Sequence, residues 1–199
     1  MTKRILIIGA GGTIGRAVSA AARDLGHEVI AASRSTSPAV DLGDEASIDA
    51  LFAAVGTVDA VVCATGSVPF KPFTELEVAD YRRGLESKTL GQIAVVVRGV
   101  AAVADGGSFT LTSGILGGVP IATGAAASAV NGALDAFTMA AATGLPRGIR
   151  INTVSPNVLV ESPGSHRSFP GLIPVPAAVV AQSFIRSIDG VETGRIFPV

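Results

Sequence analysis

Short apolar runs alternate with longer stretches of helical periodicity along the whole chain. The apolar runs predict strands near residues 3–8, 28–32, 39–41, 58–63, 107–112, 149–154 and 194–198. Between them, apolar residues recur at helical spacing and predict helices near 13–25, 45–55, 74–104, 124–143 and 175–188. This alternation predicts a parallel sheet with helices on both faces. We therefore expect an α/β fold, a doubly wound parallel sheet of about seven strands in the order 3-2-1-4-5-6-7, within one domain over residues 1–199.

Capping and breaker residues mark where elements begin and where the chain is irregular. Asp44 is a predicted cap for the second helix, and Thr74-Glu75-Leu76-Glu77 has the spacing of a capping box for the third. The least regular stretch, 157–174, is rich in Pro and Gly and follows the carboxyl end of a strand. We expect a substrate lid there, the alternative being an ordinary surface connection. His166 within it is a proton-transfer candidate or a mobile surface histidine.

The composition narrows the class of protein. Of 199 residues, 48% are apolar and 16% are charged, which is typical of a well-buried globular chain. The formal net charge of −1 and the lack of a basic stripe argue against nucleic acid as a partner. No apolar run reaches the roughly 18 residues of a spanning helix, and we expect no signal peptide before the first strand. The single cysteine, Cys63, fits a reducing compartment. We expect a cytoplasmic protein without a membrane or metal site.

The strongest chemical signal is a glycine-rich turn after the first strand. The run Ile5–Ile8 leads into this turn, and helical periodicity begins directly behind it. Glycines let the backbone approach a pyrophosphate, and the N–H groups at the helix start point at it. The motif glycines are Gly9, Gly15 and either Gly12 or Gly11. The predicted cofactor contacts in the turn are Gly9, Gly11, Gly12, Thr13, Ile14 and Gly15.

The end of the second strand indicates which dinucleotide binds. An NAD site places a carboxylate about twenty residues after the glycine turn, to accept from the ribose 2′-hydroxyl. Here the chain has Ser33, Arg34 and Ser35, which suit a 2′-phosphate instead. We therefore expect NADP(H). Asp41 and the adjacent Leu42 are predicted near the adenine, although Asp41 could equally lead the next helix.

Motifs over nearly the whole chain resemble those of the short-chain dehydrogenase/reductase family. Gly9–Gly15 resembles the family's glycine motif, and Cys63–Gly66 resembles its Asn-Asn-Ala-Gly element. Leu111–Gly114 resembles the strand that ends in the family's catalytic serine. Pro146–Pro156 resembles its sixth strand with the Pro-Gly turn, and Thr193–Phe197 resembles its last strand. The resemblance implies a Rossmann-like, dinucleotide-binding fold and oxidoreductase activity. It also implies cofactor contacts from Ala64, Thr65, Gly66, Pro156 and Val158.

The resemblance breaks at the proton-transfer pair. Ordinary members of the family use a Tyr-x-x-x-Lys pair on the helix after the serine. Alignment with the residues behind that pair places Ala127 at the tyrosine position and Asn131 at the lysine position. The single tyrosine of the chain, Tyr81, lies on the earlier helix, where we expect it to pack. A methyl group cannot transfer a proton, so the usual mechanism cannot operate unchanged.

Ser113, Lys88 and Asn131 are the remaining candidates for the chemistry. Ser113 could donate to a carbonyl oxygen, or it could be a strand-end hydroxyl bonded to backbone. Lys88 occupies the family's tetrad asparagine position, and a partly buried lysine can act as a general acid. The alternative is a solvated lysine paired with Glu86 or Asp80. Asn131 could hydrogen-bond the nicotinamide ribose.

Three functions are compatible with these residues. The first is an NADP(H)-dependent oxidoreductase acting on a small carbonyl or alcohol substrate with a degenerate tetrad. The second is an inactive NADP(H)-binding sensor or partner subunit, and the third is a cyclase or isomerase that reuses the cleft. The predicted helices 74–104 and 124–143 form a dimer interface in the resembled family. The second of them is apolar nearly all round, so we expect a homodimer or homotetramer.

Overall fold

Six parallel strands form the centre of the computed structural model, which describes residues 1–199. The strands are β1 (Arg4–Ile8), β2 (Glu28–Ala32), β3 (Val58–Cys63), β4 (Val103–Thr112), β5 (Arg150–Ser155) and β6 (Ile196–Pro198). Their order in the sheet is β2-β1-β3-β4-β5-β6. All pairs are parallel, so the loops that follow the strands gather at one edge of the sheet.

Helices cover both faces of this sheet. They are α1 (Thr13–Asp24), α2 (Glu45–Val55), α3 (Val78–Gly84), α4 (Gly91–Gly99), α5 (Ala125–Ala141) and α6 (Ala177–Asp189). In β1, Leu6 and Ile8 join the core beneath α2, α4 and α5, whereas Ile5 and Ile7 join the core beneath α1 and α6. A strand covered on both sides has no polar face, which explains the unbroken apolar run. The Rossmann-like, doubly wound fold is confirmed.

The predicted strand at 39–41 does not form, so the sheet has six strands and not seven. This segment makes only an isolated bridge between Ser33 and Ala39. The Thr36 hydroxyl accepts from Ser33 N at 2.6 Å and donates to Pro38 O at 2.8 Å. These bonds close a tight turn that leaves no length for an edge strand. Without that strand, the predicted order agrees with the observed one.

The predicted helix 74–104 is not continuous. Residues Phe73–Glu75 form a separate 3₁₀ turn, and the helix begins at Val78 with Glu77 as its N-cap. The Asp80 carboxylate accepts from Glu77 N at 3.0 Å, so the capping box predicted at Thr74 is wrong by three positions. A π-helical turn, Leu85–Leu90, joins α3 to α4. The Asp44 cap is confirmed, since its carboxylate accepts from Ala46 N at 2.9 Å.

The irregular stretch predicted at 157–174 is present and contains one 3₁₀ segment, Pro163–Ser168. It begins directly after β5 and ends shortly before α6, with one bridge between Leu159 and Val175. It therefore passes over the carboxyl edge of the sheet. None of the helices is both long enough and apolar enough to cross a lipid bilayer.

Candidate functional site

Two adjoining cavities open at the carboxyl edge of the sheet. The larger one, about 1280 Å³, lies over the ends of β1, β2 and β3. The smaller one, about 190 Å³, lies between the ends of β4 and β5 and the 157–174 loop. Gly66 and Val68 line both cavities, so the two are continuous. A long ligand in the first cavity can therefore present one end to a small molecule in the second.

The glycine turn forms a tight cradle at one end of the large cavity. Gly9 has φ +86°, and a side chain there would overlap the Ala64 carbonyl. A side chain at Gly15 would overlap the backbone of Gly9 and Ala10. Gly11 has no atom within 4 Å of an added Cβ and faces the cavity. Gly9 and Gly15 thus hold the turn together, while Gly11 leaves its outer side open to a ligand.

The first turn of α1 carries unpaired N–H groups directly after Gly12, which lines the same cavity, although Thr13, Ile14 and Gly15 do not line it themselves. Gly12 is the N-cap and provides no side-chain acceptor, so the N–H groups of Thr13, Ile14 and Gly15 have no intrahelical partner. These groups and the positive end of the helix dipole suit a pyrophosphate. The Arg16 guanidinium is bonded to the Gly11 carbonyl and adds positive charge beside the turn.

The residues predicted to contact the 2′-substituent line the large cavity together. Ser33, Arg34 and Ser35 follow β2, and the Arg34 side chain is exposed and has no salt bridge. The Asp41 carboxylate accepts from Gly43 N at 2.9 Å, so it stabilises the turn before α2 while lining the same cavity with Leu42. An unpaired guanidinium between two hydroxyls can bind a phosphate through charge-assisted hydrogen bonds.

A buried glutamine that the sequence did not reveal, Gln92, connects the ends of two neighbouring strands beside the cavities. The Gln92 amide nitrogen donates to Thr65 O at 3.3 Å and to Thr112 O at 3.0 Å. Its oxygen accepts from Thr112 N at 2.9 Å. Gln92 therefore ties the end of β3 to the end of β4. Its spacing could have indicated a site residue, because Gln92 lies one helical turn after Lys88.

Lys88, Ser113 and Asn131 meet at the floor of the small cavity. Lys88 Nζ donates to Ser113 O at 2.6 Å and to Asn131 Oδ1 at 2.7 Å. The lysine is 9% exposed, and burial lowers its pKa to about 8 although the Asp135 carboxylate opposes this. The alternative of a solvated lysine is therefore wrong. Glu86 is exposed, and Asp80 is paired with Lys71 and Arg83.

Ser113 is held by its backbone and free at its hydroxyl. Ser113 N donates to Val154 O at 3.0 Å, which ties it to β5. Its Oγ is buried and has no hydrogen-bond partner. The expected alternative, a hydroxyl bonded to backbone, is therefore wrong. An unpartnered buried hydroxyl beside a cavity is available to a ligand.

Three glycines provide the space that these polar side chains occupy. A Cβ on Gly66 would lie 2.8 Å from Lys88 Cβ, and one on Gly114 would lie 3.0 Å from Asn131 Nδ2. A Cβ on Gly117 would lie 2.8 Å from Asp135 Oδ2. Asp135 was also missed from the sequence, and it again lies one helical turn after a predicted site residue. The absence of side chains at these three glycines therefore leaves room for Lys88, Asn131 and Asp135 at the carboxyl edge.

The rest of the small cavity is mostly apolar. Ala127, which we expect at the position of the family's tyrosine, lines it together with Pro156 and Val158. The 157–174 loop contributes Phe169, whose ring lies 6.2 Å from that of Phe70 across the cavity. Lys88 is the one charged residue among the lining side chains, which also include Val68, Ile115 and Leu116. The cavity therefore suits a small, largely apolar molecule with a polar atom near Lys88.

The other candidate residues lie outside the two cavities. His166 Nε2 lies 2.9 Å from Leu159 O within its own loop. Tyr81 is half-buried on α3 and lines neither cavity. Burial raises the pKa of the Cys63 thiol to about 12, so this residue packs as an apolar group. No cluster of His, Cys, Asp and Glu could hold a metal ion.

Comparison with known proteins finds reductases among the relatives of this chain. Residues 10–170 match the family model described as Enoyl-(Acyl carrier protein) reductase. L-xylulose reductase of Homo sapiens is 29% identical over 180 residues, covering 81% of this chain and 74% of the relative. Carbonyl reductase [NADPH] 2 of Sus scrofa is 29% identical over 179 residues, covering 81% and 73%. The crystal structure of the protein lin1944 from Listeria innocua superposes with a TM-score of 0.95 at 47% identity, covering 98% of each chain.

Proposed function

The chain belongs to the short-chain dehydrogenase/reductase family, and from this we propose that it is an NADP(H)-dependent reductase of small, uncharged carbonyl compounds. The observation behind the proposal is the continuity of two cavities, one shaped for a dinucleotide and one lined by Lys88 and Ser113. Reductases among its relatives, including a carbonyl reductase named for NADPH, support the same reaction class.

Residues that line or adjoin the large cavity are suited to each part of NADP(H). The open side of Gly11 and the first turn of α1 would hold the pyrophosphate. Arg34, with Ser33 and Ser35, would hold the 2′-phosphate. Ala64, Thr65 and Gly66, together with Pro156 and Val158, would border the nicotinamide half where the two cavities meet. The bound cofactor supplies the hydride.

Lys88 and Ser113 together take the role that the family's tyrosine has in proton transfer. Two N–H groups of Lys88 are used by Ser113 O and Asn131 Oδ1, which leaves the third for a ligand oxygen. An ammonium with a pKa of about 8 is charged at neutral pH and can still release its proton. Ser113 Oγ supplies a second hydrogen bond to the same oxygen. Asn131 keeps Lys88 in place.

The groups available to a ligand in the small cavity favour a carbonyl over a charged substrate. The free N–H of Lys88 and the hydroxyl of Ser113 can both donate to an oxygen that only accepts. No arginine or second lysine lines the cavity to pair with a substrate carboxylate or phosphate. Phe70 and Phe169 enclose the remaining volume, and we propose that the 157–174 loop acts as a lid through this contact.

The test is anaerobic mixing of the protein with NADPH and a panel of small aldehydes and ketones. We expect NADPH oxidation equal in amount to the alcohol formed. Lys88→Met should lower the rate about 100-fold or more, because it removes the proton donor, and should leave the NADPH dissociation constant within about twofold. Lys3→Met is the matched control, since Lys3 binds Asp189 and Ile188 O away from both cavities.

The same experiment separates the other two functions. Tight NADPH binding without oxidation by any carbonyl would support a sensor or a partner subunit. Conversion of a substrate without NADPH consumption would support a cyclase or isomerase. Equal rates in Lys88→Met and the wild type would contradict the role given to Lys88.

A further inference from the structure

Asp135 is a half-buried carboxylate that lies near Ser113 and Lys88. It lies one helical turn after Asn131 on α5, on the same side of the helix. Its Oδ1 is buried and has no hydrogen-bond partner. Its other oxygen lies against Gly117, where an added Cβ would approach to 2.8 Å. A buried carboxylate oxygen without a partner is costly, so its retention needs a reason.

Ser113 provides the neighbouring unpartnered group. The Ser113 hydroxyl lies close enough to lower the pKa of the Asp135 carboxyl, although burial raises that pKa more strongly. Both Ser113 Oγ and Asp135 Oδ1 are nevertheless without an oriented hydrogen bond. The backbone of Ser113 is fixed by Val154 and Lys88, so only the hydroxyl can turn. Ser113 Oγ therefore has Asp135 on one side and the small cavity on the other.

Lys88 is the third member of this arrangement. Its two hydrogen-bond acceptors, Ser113 O and Asn131 Oδ1, are uncharged. Asp135 is the carboxylate whose charge acts on it and raises its pKa against burial. The other acids of the adjoining helix do not serve, because Glu86 is exposed and Asp80 is paired with Lys71 and Arg83. The remaining neighbours, Gly66 and Gly114, carry no charge.

We propose that Asp135 is a positioning residue of this site, which favours the ammonium form of Lys88 and offers the Ser113 hydroxyl an acceptor on the side away from the small cavity. Asp135 does not touch the substrate; it acts through Lys88 and Ser113. The consequence for catalysis rests on the proposed function, whereas the coupling between the three side chains does not. Without the carboxylate, Lys88 would be a buried cation with neutral partners only, and its charged form would be disfavoured.

The direct test is a pH titration of Lys88 Nζ in the ligand-free protein, monitored by nitrogen-15 NMR. The Lys88→Met variant assigns the Lys88 signal. In Asp135→Asn we expect the midpoint to fall by about one pH unit or more, because a nearby opposite charge is lost. Asp135→Glu should restore it at least in part. Asp59→Asn is the matched control, since Asp59 is half-buried at the opposite edge of the sheet and binds Arg4 N. An unchanged midpoint in Asp135→Asn would overturn the proposal.

A second measurement does not need a variant at Asp135. Carboxyl carbon-13 NMR gives the pKa of Asp135 in the wild type, in Ser113→Ala and in Lys88→Met. We expect both substitutions to raise this pKa, because each removes a group that stabilises the carboxylate. Equal values in all three proteins would also overturn the coupling. These titrations use no substrate, so failure of the reductase assay leaves them interpretable.

Discussion

Lys88 combines a cation with a site that is nearly closed to water. Desolvation disfavours the ammonium, while Asp135 favours it, and the resulting pKa of about 8 lies close to neutrality. A group with such a pKa is charged enough to donate and acidic enough to release its proton. In this chain the cation comes from the π-helical turn before α4, whereas the resemblance places the family's lysine on the helix equivalent to α5.

The first prediction concerns pH. Reduction needs the ammonium form, so its rate should be level below about pH 8 and fall about tenfold per pH unit above it. Oxidation of the alcohol needs the neutral amine, so its rate should rise with pH and level off above about pH 8. Initial rates in both directions across this range measure the effect. A reduction rate that stays constant while Lys88 deprotonates would contradict it.

The second prediction concerns cofactor choice. Arg34 is unpaired at the end of β2, so its guanidinium is free to bind a 2′-phosphate. Arg34→Ala should weaken NADPH binding about 10- to 100-fold, in line with about 1.5–3 kcal/mol for hydrogen bonds to a charged group. NADH binding should change little. Calorimetric titration with both cofactors measures this, and Arg23→Ala, on the last turn of α1, is the control. Equal losses for NADPH and NADH would argue against 2′-phosphate recognition.

At the scale of elements, the sequence predicted what periodicity and turn chemistry determine. The six parallel strands, the cap at Asp44 and the grouping of Lys88, Ser113 and Asn131 all follow from apolar spacing and motif position. The π-helical turn at Leu85–Leu90 does not, because a π-helical segment is a rare, single-turn feature inside a helix, which a search for regular helical periodicity does not predict. Gln92 and Asp135 were missed since the residues near them, at or just after the ends of β3 and β4, are brought close only by the tertiary fold.

The third prediction tests the close contact between Gly66, in the loop after β3, and Lys88 in the π-helical turn. Gly66 has φ +129°, and a Cβ there would lie 2.8 Å from both Cβ and Cδ of Lys88. Gly66→Ala should lower the free energy of unfolding by about 1–3 kcal/mol and displace the amine, reducing the reduction rate as well. Urea unfolding and initial rates measure the two effects. Gly118→Ala is the control, because its φ is −122° and no atom lies within 4 Å of an added Cβ. Equal stability of both variants would show that the close packing on Lys88 is unimportant.

At the scale of the whole molecule, the helices that frame the catalytic cluster also leave apolar side chains in solvent. Val97 on α4 is 62% exposed and Met139 on α5 is 54% exposed. Ala136 and Ala140 extend the exposed apolar side of α5. A helix of this composition is expected to be covered, and a second copy of the chain would cover it. Because α5 also carries Asn131 and Asp135, such an interface would stiffen the helix that positions Lys88.

The fourth prediction is therefore that the protein is a homodimer or homotetramer built on these helices. Light scattering at micromolar concentration should give a mass at least twice the 19.9 kDa of the chain. Val97→Glu and Met139→Glu should each shift the population to monomer, because each buries an unpaired carboxylate at the interface. Val191→Glu, at a residue 90% exposed beyond α6, should leave the mass unchanged. If the monomeric variants also lose reduction rate while their NADPH affinity is retained, then assembly acts through α5 on the position of Lys88. A wild-type protein that is monomeric at this concentration would contradict the interface, and the apolar surface of α4 and α5 would need another partner.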